Sequence, residues 1–428
     1  MEKFVIEGGH TLSGSVRPGG SKNEALPCLA ATLLTDEKIT LHNVPRINDV
    51  EIMLAVMEAL GGSHEWVGEN SVTIQNKNVN TTALDRELCK KVRASILFAG
   101  SMLGRSGKCE LPPPGGDVIG RRRLDTHFLA LEALGAKIDV QHDQFVITSR
   151  KLTGTQIFMD EASVTATENA IMAAAVAQGT TVIHNAACEP HVQGLCRMLI
   201  QMGARIQGIG TNILTIEGTK GLWGCEHTIG PDYLEVGSLV GLAAVTGSAL
   251  TIEGVVPQDL RMIRLVFNKL GIRTDFKNGD LFVPAEQEMR IQNDLNNAIP
   301  KIDDAPWPAF PTDLMSIAIT VATQSDGTVL FFEKMFEGRM FFVDSLIAMG
   351  ARIVFCDPHR VVVVGPSQLY GSTLESPDVR AGMSLLIAAL CAQGESTIYN
   401  IRQIDRGYEK IDEKLTALGA VIERLPVE

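Results

Sequence analysis

Aromatic side chains make up only 5% of this chain, with three Trp and four Tyr among 428 residues, while Gly reaches 40. Its cores must therefore be packed with small and aliphatic side chains. Positive charge is also scarce: 38 Lys and Arg face 50 Asp and Glu, a formal net charge of −12. A nucleic-acid binder carries a basic footprint, so no nucleic-acid partner is expected. Any anionic substrate must be held by a local cluster of Arg and Lys. Long apolar runs are missing despite a mean hydropathy of +0.12. The best candidate, SLVGLAAVTGSALTI, is too short and too rich in Gly, Ser and Thr to span a bilayer, so no membrane insertion is expected. The first residues, MEKFVIEGGH, lack the basic stretch and apolar run of a secretory signal. Eight cysteines form no CxxC pair, which points to reduced, mostly buried thiols. These features predict a cytoplasmic protein. The length allows two or three domains.

What is present is a repeat. Six helix-like runs end in Leu-Gly or Met-Gly, and each leads into a polar-apolar alternation: LGGSHEW, LGAKIDV, MGARIQG, LGIRTDF, MGARIVF and LGAVIER. The glycines are Gly61, Gly135, Gly203, Gly271, Gly350 and Gly419, spaced by 74, 68, 68, 79 and 69 residues. A Gly just past a helix takes the left-handed conformation without a Cβ penalty, and the alternation that follows reads as strand. Each unit also holds an earlier helix that is apolar nearly all round, as in VTATENAIMAAAVAQG and LEVGSLVGLAAVTG. Such a helix belongs in a core. The second helix of each unit, such as DVEIMLAVMEALGG, is amphipathic and belongs nearer solvent. The expected fold is α/β: two inside-out α/β barrel domains, each of three repeats, with buried central helices and outer sheets. The sixth repeat stops at LGAVIERLPVE without its second strand, and the N-terminal KFVIEGG would supply it. The expected domains are 22–231, and 1–21 plus 232–428. Two chain crossings, near Gly20 and Pro231, predict a hinged pair with a cleft, where ligands preferentially bind.

The buried helices open with unusual residues: Lys22 and Asn23, Arg93, Ser163 to Thr165, Asp313, and Asp378 with Arg380. Helix N-termini offer free N–H groups and a positive dipole end, and added Lys and Arg would fix phosphate or carboxylate. Ser163, Thr165, Asp313 and Asp378 also read as plain N-caps, and both readings stand at this point. Two loops stand out. LPPPGGDVIGRRRLDTHF, 111–128, carries Asp117, Arg121, Arg122, Arg123 and Asp125, and reads either as a mobile catalytic loop or as a solvated turn. QIDRGYEKIDEKL carries Asp405 and Arg406 ahead of the last helix, with Asp405 also readable as its cap. Standard motifs fail. GSVRPGGSKN is not a phosphate-binding Walker loop, because Ser21 separates Gly20 from Lys22. GIGTNI lacks the third glycine of a dinucleotide fingerprint. HExxH, GxSxG and zinc-like Cys/His spacing are absent.

GGSKNEALP, VRASI, PGGDVIGRRRLDTH, NAACEP, PAFPTDL, MFEGRM, DVRAG and IDRGYE occur in this order along the whole chain. In these segments the sequence resembles the UDP-N-acetylglucosamine 1-carboxyvinyltransferases, enolpyruvyl transferases of peptidoglycan synthesis. The resemblance implies the inside-out barrel pair, closing over phosphoenolpyruvate and UDP-N-acetylglucosamine, with no cofactor and no metal. It implies addition and then elimination through a tetrahedral intermediate. Carried over by position, Lys22, Arg122 and Arg406 would bind phosphoenolpyruvate, and Arg339 and Arg380 would support that charge cluster. Asn23, Arg93, Arg122, Arg123, Leu124, Asp125, Thr126, Ser163, Val164, Thr165, Asp313 and Met335 would line the UDP-sugar site. Asp313 would accept the hydroxyl proton, and Asp117 falls where the family's loop acid lies. Lys22 and Arg406 would share in catalysis.

Four positions depart from the usual pattern. Most members carry Cys where Asp117 stands, an Asp-bearing subgroup excepted. Arg123 replaces a Pro, Glu161 a Lys near the diphosphate, and Thr165 a loop Gly. The nearest rival acceptor is shikimate 3-phosphate, whose enzymes carry Lys-Ser rather than Lys22-Asn23. A non-catalytic binding protein on the same scaffold is the other alternative. It would not need to keep both Asp117 and Asp313.

Overall fold

The computed structural model describes residues 2–117 and 119–427. The chain divides into two compact units. The first comprises Met1–Gly19, Val118–Arg121 and Pro231–Glu428; the second comprises Gly20–Asp117 and Arg122–Gly230. Each has its own apolar core.

Six helices form these cores: α1 (Lys22–Ala31), α2 (Phe98–Ser106), α3 (Val164–Ala175), α4 (Tyr233–Val245), α5 (Met315–Ala322) and α6 (Val379–Cys391). In α5 every residue is buried, and in α4 and α6 all but the last. This is what their all-round apolar sequence demands. α4, α5 and α6 pack on one another in the first unit, as α1, α2 and α3 do in the second. Small residues set the approach of these helices. A Cβ on Gly237 of α4 would lie 2.6 Å from Leu314 Cδ1, so glycine lets this helix close on the turn that carries Asp313.

Among the described residues the strands form six small sheets, five of four strands and one of three. All six repeat glycines have positive φ, from 90° at Gly271 to 111° at Gly350. At five of them that conformation turns the chain out of the preceding helix into a hairpin, and at Gly419 into the single strand Val421–Pro426. The first strand, Glu2–Glu7, runs antiparallel between Glu395–Tyr399 and Val421–Pro426, with Phe4 opposite both Ile398 and Arg424. The last repeat's sheet is thus completed by the start of the chain. Among the described residues no helix is long and apolar enough to cross a membrane.

One buried amide fastens α2 to α3. Asn169 accepts from the Gly100 N–H at 2.7 Å, donates to the Ile96 carbonyl at 2.9 Å, and meets His127 Nδ1 at 2.9 Å. Asn169→Ala strands a buried donor and a buried acceptor. We expect a loss of about 2–4 kcal/mol in the unfolding of the second unit, read from urea denaturation. A loss below about 0.5 kcal/mol, the range of an ordinary surface change, would show that the bridge does not hold the helices.

Candidate functional site

In the second unit, Lys22 is the first residue of α1. Its ammonium lies 2.7 Å from Asp49, a carboxylate that is 2% exposed. The pair holds the cation at the helix start, with Asn23 beside it in sequence. Arg93 opens a short 3-10 turn, Arg93–Leu97. Its guanidinium donates to the carbonyls of Arg122 (2.8 Å) and Arg123 (3.2 Å), so it shapes the end of the Pro/Gly-rich loop from within. Burial, and then the charge of Arg122, push its pKa down to about 10. Gly115 and Gly116 let the loop lie against this turn. A Cβ at Gly115 would overlap the Lys90 carbonyl, and Gly116 has φ +110°.

Arg123 does not stand free beside the loop. Its Nε donates to Asp125 at 3.0 Å, and Asp125, then Asp160 and Glu161, raise its pKa. The Arg123 guanidinium is therefore balanced by acids, Glu161 among them. Leu124 precedes the helix Asp125–Ala133, where the Thr126 hydroxyl donates to Asp160 at 2.6 Å. Ser163 stands in the N-cap position of α3, but its side chain makes no cap bond; the cap reading fails there. Val164 begins the helix, and the Thr165 hydroxyl meets His127 Nε2 at 3.1 Å. Asn169 donates to His127 Nδ1, so Nε2 carries the proton and donates to Thr165. Burial, assisted by Arg93, lowers the His127 pKa to about 3, which keeps this ring neutral. His127 and Asp49 were not singled out in the sequence. The only trace of His127 is its place in the LDTHF segment, and Asp49 looks like any acid in the first turn of an amphipathic helix.

In the first unit, Asp313 is not a cap. It sits in a single 3-10 turn, Thr312–Leu314. Its Oδ1 accepts from Arg339 at 2.9 Å and its Oδ2 from Arg380 Nε at 3.1 Å. Burial works to raise its pKa, but Arg339 and Arg380 outweigh it and hold the carboxyl well below the usual range. Arg339 and Arg380 are themselves buried, and among the described residues Arg339 Nε and Arg380 Nη1 have no hydrogen-bond acceptor. Buried donors left over beside a charge pair are what an anionic ligand would satisfy. Arg380 also lies over the Tyr408 ring at 5.3 Å. Asp378 does cap α6, accepting from the Arg380 and Ala381 N–H groups at 2.8 and 3.0 Å. Met335 is partly exposed on the segment after Gly327–Phe332. Arg406 donates to Gln403 at 2.9 Å. Its neighbour Asp405 does not cap the last helix, which begins at Ile411. Both oxygens of Asp405 instead accept from Arg424, at 2.8 and 3.0 Å.

Among the described residues, Glu24, Cys28 and His227 bring possible metal donors within 4.8 Å of one another. Hydrogen bonds already engage two of the three. Glu24 meets His227 Nε2 at 3.0 Å and the Gly230 N–H at 3.2 Å, and His227 Nδ1 meets Gln201 at 3.0 Å. Burial raises the Cys28 thiol well above its usual pKa. The group braces the start of α1 rather than offering an open coordination site.

Comparison with known proteins extends this picture over the whole length. The family model described as EPSP synthase (3-phosphoshikimate 1-carboxyvinyltransferase) matches residues 6–415. The UDP-N-acetylglucosamine 1-carboxyvinyltransferase of Treponema denticola is 58% identical over 423 residues, 99% of each chain. That of Bradyrhizobium diazoefficiens is 55% identical, over 99% of this chain and 98% of its own. Among solved structures, the enolpyruvyl transferase NikO from Streptomyces tendae superimposes with a TM-score of 0.88, covering 100% of this chain and 99% of that one. At 22% identity it speaks for the fold alone. EPSP synthase from Acinetobacter baumannii reaches a TM-score of 0.76 at 18% identity, with 100% of both chains covered. With matching architecture and full-length identity above half, the chain belongs to the enolpyruvyl transferase family, among the UDP-N-acetylglucosamine 1-carboxyvinyltransferases.

Proposed function

We propose that this protein performs its family's reaction through the residues described above: transfer of the enolpyruvyl group of phosphoenolpyruvate to the 3′-hydroxyl of UDP-N-acetylglucosamine, with release of phosphate, in peptidoglycan synthesis. The acceptor follows from the relatives at 55–58% identity, all UDP-sugar enzymes by name, against 18% for the EPSP synthase. The observation that carries the residue assignment is the Asp313 carboxylate held between Arg339 and Arg380, with guanidinium N–H groups left over. Mixing protein, phosphoenolpyruvate and UDP-N-acetylglucosamine should release phosphate. Shikimate 3-phosphate in place of the sugar nucleotide should not. The reverse pattern would refute the acceptor, and no release with either would favour a non-catalytic binder.

In the addition step the 3′-oxygen bonds to C2 of phosphoenolpyruvate, its proton leaves, and a proton adds to the methylene carbon. In the elimination step the C2–O bond to phosphate breaks and the methyl carbon gives up a proton. Asp313 is our acceptor for the hydroxyl proton. A carboxylate held by two guanidiniums is a weak base, but an arriving phosphate and carboxylate would draw on the same arginines and loosen that hold. Lys22, Arg122 and Arg406 are assigned to the phosphoenolpyruvate anion, with Arg339 and Arg380 in support. Asn23, Arg93, the stretch Arg122 to Thr126, Ser163 to Thr165 and Met335 are assigned to the UDP-sugar. Asp117 is assigned to proton transfer at the methylene carbon, and with it we assign the chain to the Asp-loop subgroup. We assign the enzyme to the cytoplasm, and its net charge of −12 supports the reading that no nucleic acid is among its partners.

Arg406→Lys tests the anion assignment. Arg holds a carboxylate or phosphate through two parallel N–H bonds, which Lys does not reproduce. The variant should raise the KM for phosphoenolpyruvate by about tenfold or more while changing that for the UDP-sugar far less. An effect confined to the UDP-sugar would show that Arg406 belongs to the other substrate.

A further inference from the structure

Behind Asp313 lies a second group of acids that the mechanism does not use. Asp304 and Glu333 are fully buried. Asp304 follows the strand Lys301–Asp303, and Glu333 follows the strand Gly327–Phe332, which pairs with it in parallel. Glu333 organises the chain on both sides of Asp313's turn. Its Oε1 accepts from the N–H groups of Met335 (3.0 Å) and Phe336 (3.1 Å), and the Thr312 hydroxyl lies 3.0 and 2.9 Å from its two oxygens. Asp304 Oδ1 accepts from the Lys334 N–H at 2.6 Å. Asp304 Oδ2, by contrast, is buried and has no donor among the described residues. The group beside it is the Glu333 carboxyl, whose pKa is pushed up to about 8 by burial and then by Asp304. Two ionised carboxylates do not satisfy each other; one proton between them satisfies both.

We propose that Asp304 and Glu333 form a one-proton carboxyl pair that positions Met335 and Arg339 against Thr312 and Asp313, making both acids positioning residues for the UDP-sugar. The proton sits on Glu333 Oε2 and is donated to Asp304 Oδ2. Oε1 remains an acceptor for the backbone of the 333–336 segment. The surroundings are otherwise fixed. Arg339 is held by Asp313 and the Thr312 carbonyl. His359 Nδ1 donates to the Glu333 carbonyl at 2.7 Å, and its backbone N–H donates to Asp357. Lys301 and Lys334 both pair with Asp303. Loss of the one proton leaves two buried negative charges facing each other, and the segment carrying Met335 must shift.

This inference rests on the assignment of Met335 and Asp313 to the UDP-sugar site, and the experiment separates the two. Steady-state kinetics would be followed from about pH 6.5 to 8.5, across the loss of that proton. In the unaltered enzyme the KM for UDP-N-acetylglucosamine should rise toward the alkaline end, while that for phosphoenolpyruvate does not follow. In Glu333→Gln the amide N–H donates to Asp304 in place of the proton. The neutral-pH KM should stay within about twofold and the alkaline rise should vanish. Asp304→Asn keeps the acceptor for Lys334, donates to an ionised Glu333, and should also abolish the rise. Glu333→Ala should raise the UDP-sugar KM about tenfold with a smaller change in kcat. An alkaline rise that persists in Glu333→Gln, or a folded Glu333→Ala with unchanged KM, overturns the pair. Met335→Ala tests the underlying assignment: if it leaves the UDP-sugar KM unchanged, the acceptor does not lie against Met335, whatever the Gln variant shows.

Discussion

Asp313→Asn should lose turnover by about 10²–10⁴-fold, the range a positioned general base contributes, while UDP-sugar affinity stays within roughly tenfold, about 1.4 kcal/mol. The amide keeps the shape of the carboxylate and can accept from one guanidinium. It does not take the hydroxyl proton at neutral pH. A second consequence follows from Arg339 and Arg380, which are 7% and 5% exposed. Their charges lose the carboxylate that balances them, and removing one partner of a buried pair costs about 3–5 kcal/mol. The lower end applies, because the Asp313 side chain keeps 25% of its surface exposed. The variant should therefore also unfold at lower urea. Isothermal titration with UDP-N-acetylglucosamine separates the two effects, since a misfolded site binds nothing. Near-normal turnover would remove Asp313 from the mechanism. Lost turnover together with lost binding would make it a structural counter-ion instead.

The same contacts mark what the sequence can and cannot reveal. Helices such as α5 have no polar face, so their burial is legible from composition alone, and the six repeat glycines announce their turns because no other residue takes positive φ so cheaply. Charges at the head of such helices are legible as anomalies: Arg380 precedes an apolar run and is in fact buried. Their partners are not legible. Asp49 is 27 positions from Lys22, and Glu333 is 29 from Asp304. An acid that ends a strand or opens an amphipathic helix reads the same whether it meets water or a buried cation. For the same reason Asp405 passes for a cap, when its true partner, Arg424, comes from the last strand. Asp378 shows the opposite case, where local hydrogen bonding decides the role and the cap reading holds.

Fosfomycin, an epoxide that alkylates the loop thiolate of the usual family member, should not inactivate this enzyme covalently. A carboxylate at residue 117 is a much poorer nucleophile toward an epoxide than a thiolate. The protein's own thiols offer little in its place. Burial raises the pKa of Cys89, Cys225 and Cys391 to about 11 and of Cys196 to about 12, and pushes Cys28, Cys109 and Cys188 upward as well. Reactivity follows the thiolate, so these seven stay nearly inert at neutral pH. Cys356 is the exposed one, and it lies on the outer hairpin strand Ile353–Asp357, which carries none of the assigned substrate residues. Asp117→Cys restores a thiol to the loop, next to Gly116. We expect the variant to keep activity, to move its activity optimum to higher pH because a free thiol titrates several units above a free carboxyl, and to acquire time-dependent inactivation by fosfomycin. Mass spectrometry should place the adduct on residue 117, unchanged when Cys356→Ser is added. Covalent inactivation of the unaltered enzyme at another cysteine, or an active Cys variant that the epoxide never labels, would show that residue 117 does not face the reacting carbon.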